Sequence, residues 1–150
     1  MDLFDIISND IKEAMKAKDK VALDTLRNIK KVLLEAKTAP GAGDTVSDET
    51  AIKIIQKLVK QGKESAELYQ SQNRPELAQE ELAQVEVMNR YLPKQMNEEE
   101  VKAVLEGIIA QIGANGPQDM GKVMGVATKQ LAGKAEGKTI STIVKQLLTN

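Results

Sequence analysis

Apolar residues recur along this chain at steps of three and four, the spacing that gathers them on one face of an α-helix. Leu3, Ile6, Ile7, Ile11, Ala14 and Met15 mark out a first helix, and Leu23, Leu26, Ile29, Val32, Leu33 and Ala36 a second. The run Ala39-Pro40-Gly41-Ala42-Gly43-Asp44 breaks the rhythm and predicts a loop. Ser47 is placed to cap a third helix, with Asp48 and Glu49 against its positive end. That helix carries Ile52, Ile55, Leu58 and Val59 and continues past Gly62 to Tyr69. Pro75 suits the first turn of a fourth, which bears Leu77, Leu82, Val85, Met88 and Leu92.

Pro93 stops the pattern, so the stretch Leu92 to Met96 predicts a boundary between two helical subdomains, 1–93 and 94–150. Asn97 with Glu100 three residues later forms a capping box ahead of Val101, Val104, Leu105, Ile108, Ile109 and Ile112. Gly113 ends that helix. Asp119 is expected to cap a shorter one with Met120, Val123, Met124, Ala127 and Leu131, closed by Gly133. Thr139 is expected to open the last, with Ile140, Ile143, Val144, Leu147 and Leu148. No run alternates long enough for a strand. The fold class is therefore all-α, with about seven helices.

Composition narrows the chemistry. The 150 residues include no histidine, cysteine or tryptophan, and the aromatics are only Phe4, Tyr69 and Tyr91. Cys/His and Ser/His nucleophilic catalysis, thiolate or imidazole metal sites and thiol redox chemistry are thereby excluded. The platforms on which single-stranded bases stack are nearly absent too. No cofactor or metal is expected. No stretch approaches the roughly 20 apolar residues of a membrane span, the N-terminal segment has no basic region of a secretory signal, and a cytoplasmic location is the default expectation.

The net charge of −1 hides an uneven distribution. Lys12 to Lys37 holds eight basic residues against four acidic, and Pro117 to Asn150 five lysines against Asp119 and Glu136. Glu76 to Glu100 holds seven glutamates against Arg90 and Lys94. Two basic ends thus flank an acidic middle, and only local patches could attract a polyanion. Glu80-Glu81 and Glu98-Glu99-Glu100 read as a solvated helix face and a helix N-terminus, not as an acid–base site.

The segment Gly133-Lys134-Ala135-Glu136-Gly137-Lys138-Thr139 resembles a phosphate-binding loop only at its end. Ala132 stands where the first glycine belongs, and no strand precedes it. It reads instead as a helix-ending glycine, a turn and a new helix, whose Lys134 and Lys138 could meet nucleic-acid phosphate. Gly121 and Gly125 lie one turn apart on a helix, where each weakens it; close packing of another helix is the favoured reason. Arg27, Lys30 and Lys31, with Lys12, Lys16 and Lys20, offer a second basic face.

Several segments together resemble the GatB/YqeY family across essentially the whole chain. They are Leu26-Arg27 with Asn28 to Lys31, Lys60 to Ser65, Asn73 to Ala78, Tyr91 to Gln95, Asp119-Met120-Gly121-Lys122-Val123-Met124-Gly125, Gly133 to Lys138, and Val144 to Leu148. The resemblance implies a two-part all-α protein whose C-terminal part is a small three-helix bundle. That bundle would be similar to the tail domain of the B subunit of aspartyl/glutamyl-tRNA amidotransferase, which contacts tRNA while the chemistry occurs elsewhere. Related modules are appended to a glutaminyl-tRNA synthetase. The expected role is a tRNA-binding or tRNA-enzyme accessory protein without catalysis of its own. Its RNA contacts would fall to Lys122, Lys129, Lys134, Lys138 and Lys145, with Gly121, Gly133 and Gly137 allowing close approach. The expected partners are tRNA and a tRNA-modifying or aminoacylating enzyme, with no DNA. Two alternatives stand beside this reading. One is a component of glutamine-dependent carbon–nitrogen ligase activity, as the family label suggests. The other is a helical adaptor, expected if intramolecular carboxylates pair the basic faces.

Overall fold

In the computed structural model, residues 1–149 are described, and they form seven α-helices with one short 3-10 turn and no strand among them. The helices are α1 (Leu3–Ala17), α2 (Lys20–Lys37), α3 (Asp48–Ser71), α4 (Pro75–Asn89), α5 (Glu98–Ile112), α6 (Met120–Gln130) and α7 (Gly137–Thr149). The chain divides into two compact units, Met1–Leu92 and Pro93–Asn150.

Local chemistry sets most of the helix ends. Ser47 accepts from the Thr50 N–H at 3.1 Å and starts α3. Asn97 and Glu100 exchange the two reciprocal bonds of a capping box at the start of α5. Pro75 occupies the first turn of α4. Gly113 closes α5 at φ 69°, in the left-handed region that glycine enters without a Cβ clash. Other ends differ from expectation: α4 stops at Asn89, short of Leu92, and α6 at Gln130, short of Leu131. Asp119 sits at the head of α6 but makes no capping bond there; the 3-10 turn Pro117–Asp119 turns its carboxylate back to accept from the Asn115 N–H at 3.1 Å. And α7 begins at Gly137, not Thr139, because the Glu136 carbonyl already accepts from the Ile140 N–H.

The first unit buries Ile7, Ile29, Leu33 and Ile55 completely, so the apolar stripes of α1, α2 and α3 meet in one core that α4 completes with Val85 and Met88. Gly62 lets α3 and α4 come together. A Cβ at this position would lie 2.7 Å from Val85 Cγ2, nearer than two carbons can stand. At the edge of this unit Lys37 Nζ lies 4.3 Å and Lys30 Nζ 5.7 Å from the centre of the Phe4 ring, within reach of a cation–π attraction. Tyr91, just past α4, donates its hydroxyl proton to Asp10 of α1 at 2.6 Å.

The second unit is a three-helix bundle around Val101 and Leu105 of α5, Val123 and Ala127 of α6, and Ile140 and Val144 of α7. The turn between α6 and α7 holds the start of the unit. Gln95 Nε2 donates to the Gly133 carbonyl at 2.7 Å, and the Met96 N–H donates to the Lys134 carbonyl at 2.9 Å. No described helix is long and apolar enough to cross a membrane.

Candidate functional site

The face of α6 turned away from Val123 and Ala127 carries Gly121, Lys122, Gly125, Val126, Lys129 and Gln130, all exposed and together lining one shallow groove. Lys122 and Lys129 are seven residues apart, two helical turns or about 10 Å along one side of the helix. No acidic residue lies between Met120 and Gln130. Among the described residues neither lysine has a carboxylate within ion-pair distance; the ion pairs are Lys16–Glu13 and Lys53–Glu49, both in the first unit. The two ammonium groups therefore present uncompensated charge beside bare backbone.

The expectation that Gly121 and Gly125 admit a neighbouring helix of this chain is not met. A Cβ built on either has no atom within 4 Å. Gly125, in the helix interior, still costs about 1 kcal/mol relative to alanine, and the fold obtains no packing in return at either glycine. The backbone at both positions is open among the described residues.

The remaining basic candidates separate. Lys138 lines a different groove, with Glu98 of α5 and Thr142 of α7, so a carboxylate shares its surroundings. Lys134 and Lys145 are exposed. The backbone at Lys134 is committed to the fold, since its N–H donates to the Leu131 carbonyl at 2.9 Å and its carbonyl accepts from Met96. That N–H is thus not free for a phosphate. Gly133 is buried at φ 78°, a position that shapes the turn and is not open to a ligand. Gly137 is exposed, with open space around it at the start of α7. In the first unit Arg27 and Lys31 are exposed on α2, whereas Lys30 is half-buried and drawn over Phe4. The second basic face is therefore narrower than the sequence suggests.

Residues the sequence reading left out of the site are Val126 and Gln130, which line the α6 groove, and Gly125, which was assigned to packing. Their helical register with Lys122 and Lys129 was the available signal.

The fold and this face define a small all-α protein of two helical units, the second bearing a lysine-flanked, glycine-lined helix surface. A family model described as Yqey-like protein matches residues 4–148, and the chain belongs to that family, which is related to the tail of the amidotransferase B subunit. Among curated proteins it is 30% identical over 132 residues to Altered inheritance of mitochondria protein 41, mitochondrial, of Pyrenophora tritici-repentis, covering 84% of this chain and 69% of that protein. It is 31% identical over 124 residues to the protein of the same name from Clavispora lusitaniae, covering 81% and 69%. A third such relative, from Meyerozyma guilliermondii, is 36% identical over 86 residues, covering 57% and 44%. These relatives overturn the expectation of a cytoplasmic location, since all three are named as mitochondrial proteins. That expectation was a default: a chain without cysteine carries no redox signature of its compartment.

Proposed function

We propose that the protein binds folded RNA, tRNA foremost, through the outer face of α6, and serves as a non-catalytic accessory to a tRNA-modifying or aminoacylating enzyme. The observation that carries this reading is the pair Lys122 and Lys129, free of carboxylate partners on an acid-free helix surface. Such a pair neutralises backbone phosphates, which gives affinity without reading bases and a steep dependence on salt. Membership of the Yqey-like family and its relation to the amidotransferase tail favour tRNA over other polyanions. The scarcity of aromatics favours folded RNA over unstacked single strands. The adaptor alternative required the basic faces to be paired internally, and the α6 lysines are not.

Filter binding of a tRNA transcript and of a random RNA duplex across a salt series tests the proposal. Retention of tRNA at low salt, tighter than the duplex and weakened by Lys122→Gln with Lys129→Gln, is expected. Affinity for tRNA no better than for the duplex, or no retention at low salt, would sink it. Recovery of an amidase or synthetase with the chain, together with amide transfer that depends on it, would assign the protein to the ligase assembly instead.

A further inference from the structure

We propose that Asn115 is a site of spontaneous deamidation, at which the backbone nitrogen of Gly116 displaces the side-chain amide and leaves aspartate and isoaspartate. The site lies in the loop between α5 and α6, outside the face assigned to RNA, and needs no RNA.

Three conditions meet there. Asn115 is exposed, and among the described residues its side chain bonds only to exposed Gln118, Nε2 to Oδ1 at 3.3 Å. Glycine follows it, as it follows no other asparagine in the chain, so no Cβ obstructs the turn that brings the nitrogen onto Cγ. Among the described residues the Gly116 N–H donates no hydrogen bond, whereas the Asn115 N–H is engaged by Asp119 Oδ2. Gly116 is covered by the Gln118 side chain, whose exposed end can swing clear.

The other asparagines are held differently. The N–H after Asn73 donates to the Tyr69 carbonyl at 2.8 Å, and that after Asn89 to the Val87 carbonyl at 3.2 Å. Asn9 and Asn28 lie within α1 and α2, where the next N–H belongs to the helix ladder. The Asn97 side chain is fixed in the capping box. Among the described residues, Asn115 alone pairs a glycine neighbour with an unbonded nitrogen.

Water is the one co-reactant. The Gly116 nitrogen loses its proton to solvent and bonds to Asn115 Cγ, making a tetrahedral carbon. That carbon expels the side-chain nitrogen, which takes protons from solvent and leaves as ammonia. A five-membered succinimide remains, and water opens it. Breaking the new Cγ–N bond gives aspartate with the main chain restored. Breaking the bond between that nitrogen and the backbone carbonyl carbon gives isoaspartate, whose main chain runs through the side chain.

Either product puts a new carboxylate near Asp119, whose own carboxylate accepts from the N–H of residue 115 at the head of α6. Like charges then meet, and isoaspartate also lengthens the loop by one carbon. The modification thus loosens the entry to α6 as the protein ages.

The experiment incubates the full chain at mildly alkaline pH, with Gly116→Ala and Asn115→Gln alongside. Gly116 has an extended φ of −172°, which any residue adopts, and a Cβ there meets the movable end of Gln118, so Gly116→Ala should fold. Peptide mass mapping follows conversion at every asparagine. An isoaspartyl methyltransferase with a labelled methyl donor counts the isoaspartate. Conversion at Asn115 should outpace the other asparagines by about tenfold or more, rise with pH and yield labelled isoaspartate. Both substitutions should slow conversion at that position by about tenfold or more. The converted chain, separated by its added negative charge, should melt about 2–4 °C lower.

Conversion at Asn115 no faster than at the other asparagines overturns the proposal, as does a rate unslowed in Gly116→Ala. Aspartate formed without isoaspartate also overturns it, because direct hydrolysis leaves no ring to open. An unchanged melting temperature in the converted chain overturns the effect on α6.

Discussion

The hydroxyl of Tyr91 donates to Asp10 Oδ2 at 2.6 Å, tying the chain just beyond α4 to the middle of α1. Burial, then the hydrogen bond to Asp10 and that carboxylate's negative charge, push the Tyr91 hydroxyl well above the ordinary tyrosine range, with nearby Arg90 opposing weakly. The folded state therefore holds the phenol proton more firmly than the unfolded chain does. The resulting stability is fully present below about pH 10, the unfolded value, and is lost as pH rises beyond it. Denaturant unfolding of wild type and Tyr91→Phe between pH 7 and 11 checks this. The variant should be less stable by about 1–2 kcal/mol at pH 7, through a lost charge-assisted bond at a half-exposed site. Its deficit should shrink above pH 10.

Gly62 and Val85 make a second such pair, this time by exclusion. Gly62→Ala places a methyl 2.7 Å from Val85 Cγ2, in a buried and branched side chain that has little freedom to give way. Overpacking of this kind costs about 1–3 kcal/mol, more than alanine recovers in helix propensity. Adding Val85→Ala should rescue part of the loss, so the two changes measured by chemical denaturation should be non-additive.

Asn97→Ala removes one half of the capping box and should destabilise the second unit by about 1 kcal/mol. Glu100→Gln keeps an oxygen for the reciprocal bond to the Asn97 N–H and should cost clearly less, apart from a small term for lost charge near the helix N-terminus. Paired thermal melts of the two variants give the comparison.

Gln95→Ala breaks the 2.7 Å bond to the Gly133 carbonyl, and Gly133→Ala forces a left-handed φ of 78° on a residue with a Cβ. Each should lower stability by about 1–2 kcal/mol. Hydrogen exchange should show the loss at the Met96 N–H, which bonds to the neighbouring Lys134 carbonyl.

If tRNA binds the α6 face, removing one phosphate contact with Lys129→Gln should reduce the slope of log affinity against log salt by about one. Arg27→Gln, on α2, should leave that slope unchanged.

What the sequence displayed of this molecule follows the range of the forces involved. The caps at Ser47 and Asn97, the proline start of α4 and the glycine end of α5 depend on atoms within a few residues, and all were readable in the amino-acid order. Asp119 offered two local uses for one carboxylate, and the 3-10 turn before α6 decided between them. Lys30 looked like one more surface cation until Phe4, on a different helix, claimed its side chain. The contact between Gly62 and Val85 joins two helices and had no local signature at all. At the candidate site the spacing of Gly121, Lys122, Gly125 and Lys129 already placed them on one face. That no other described residue covers the glycines depends on how α5 and α7 pack, which no short-range pattern records.

The missing side-chain cap on α6, together with Gly121 in its first turn and Gly125 in its middle, has a dynamic consequence. Nothing at its head matches the reciprocal cap of α5, and its interior is less inclined to helix. Local opening of α6 therefore requires less free energy than opening of α5, and its amide protons should exchange first. A ligand bound along that helix would draw its energy partly from closing those openings. Slowed exchange confined to α6 would then locate the contact without any substitution.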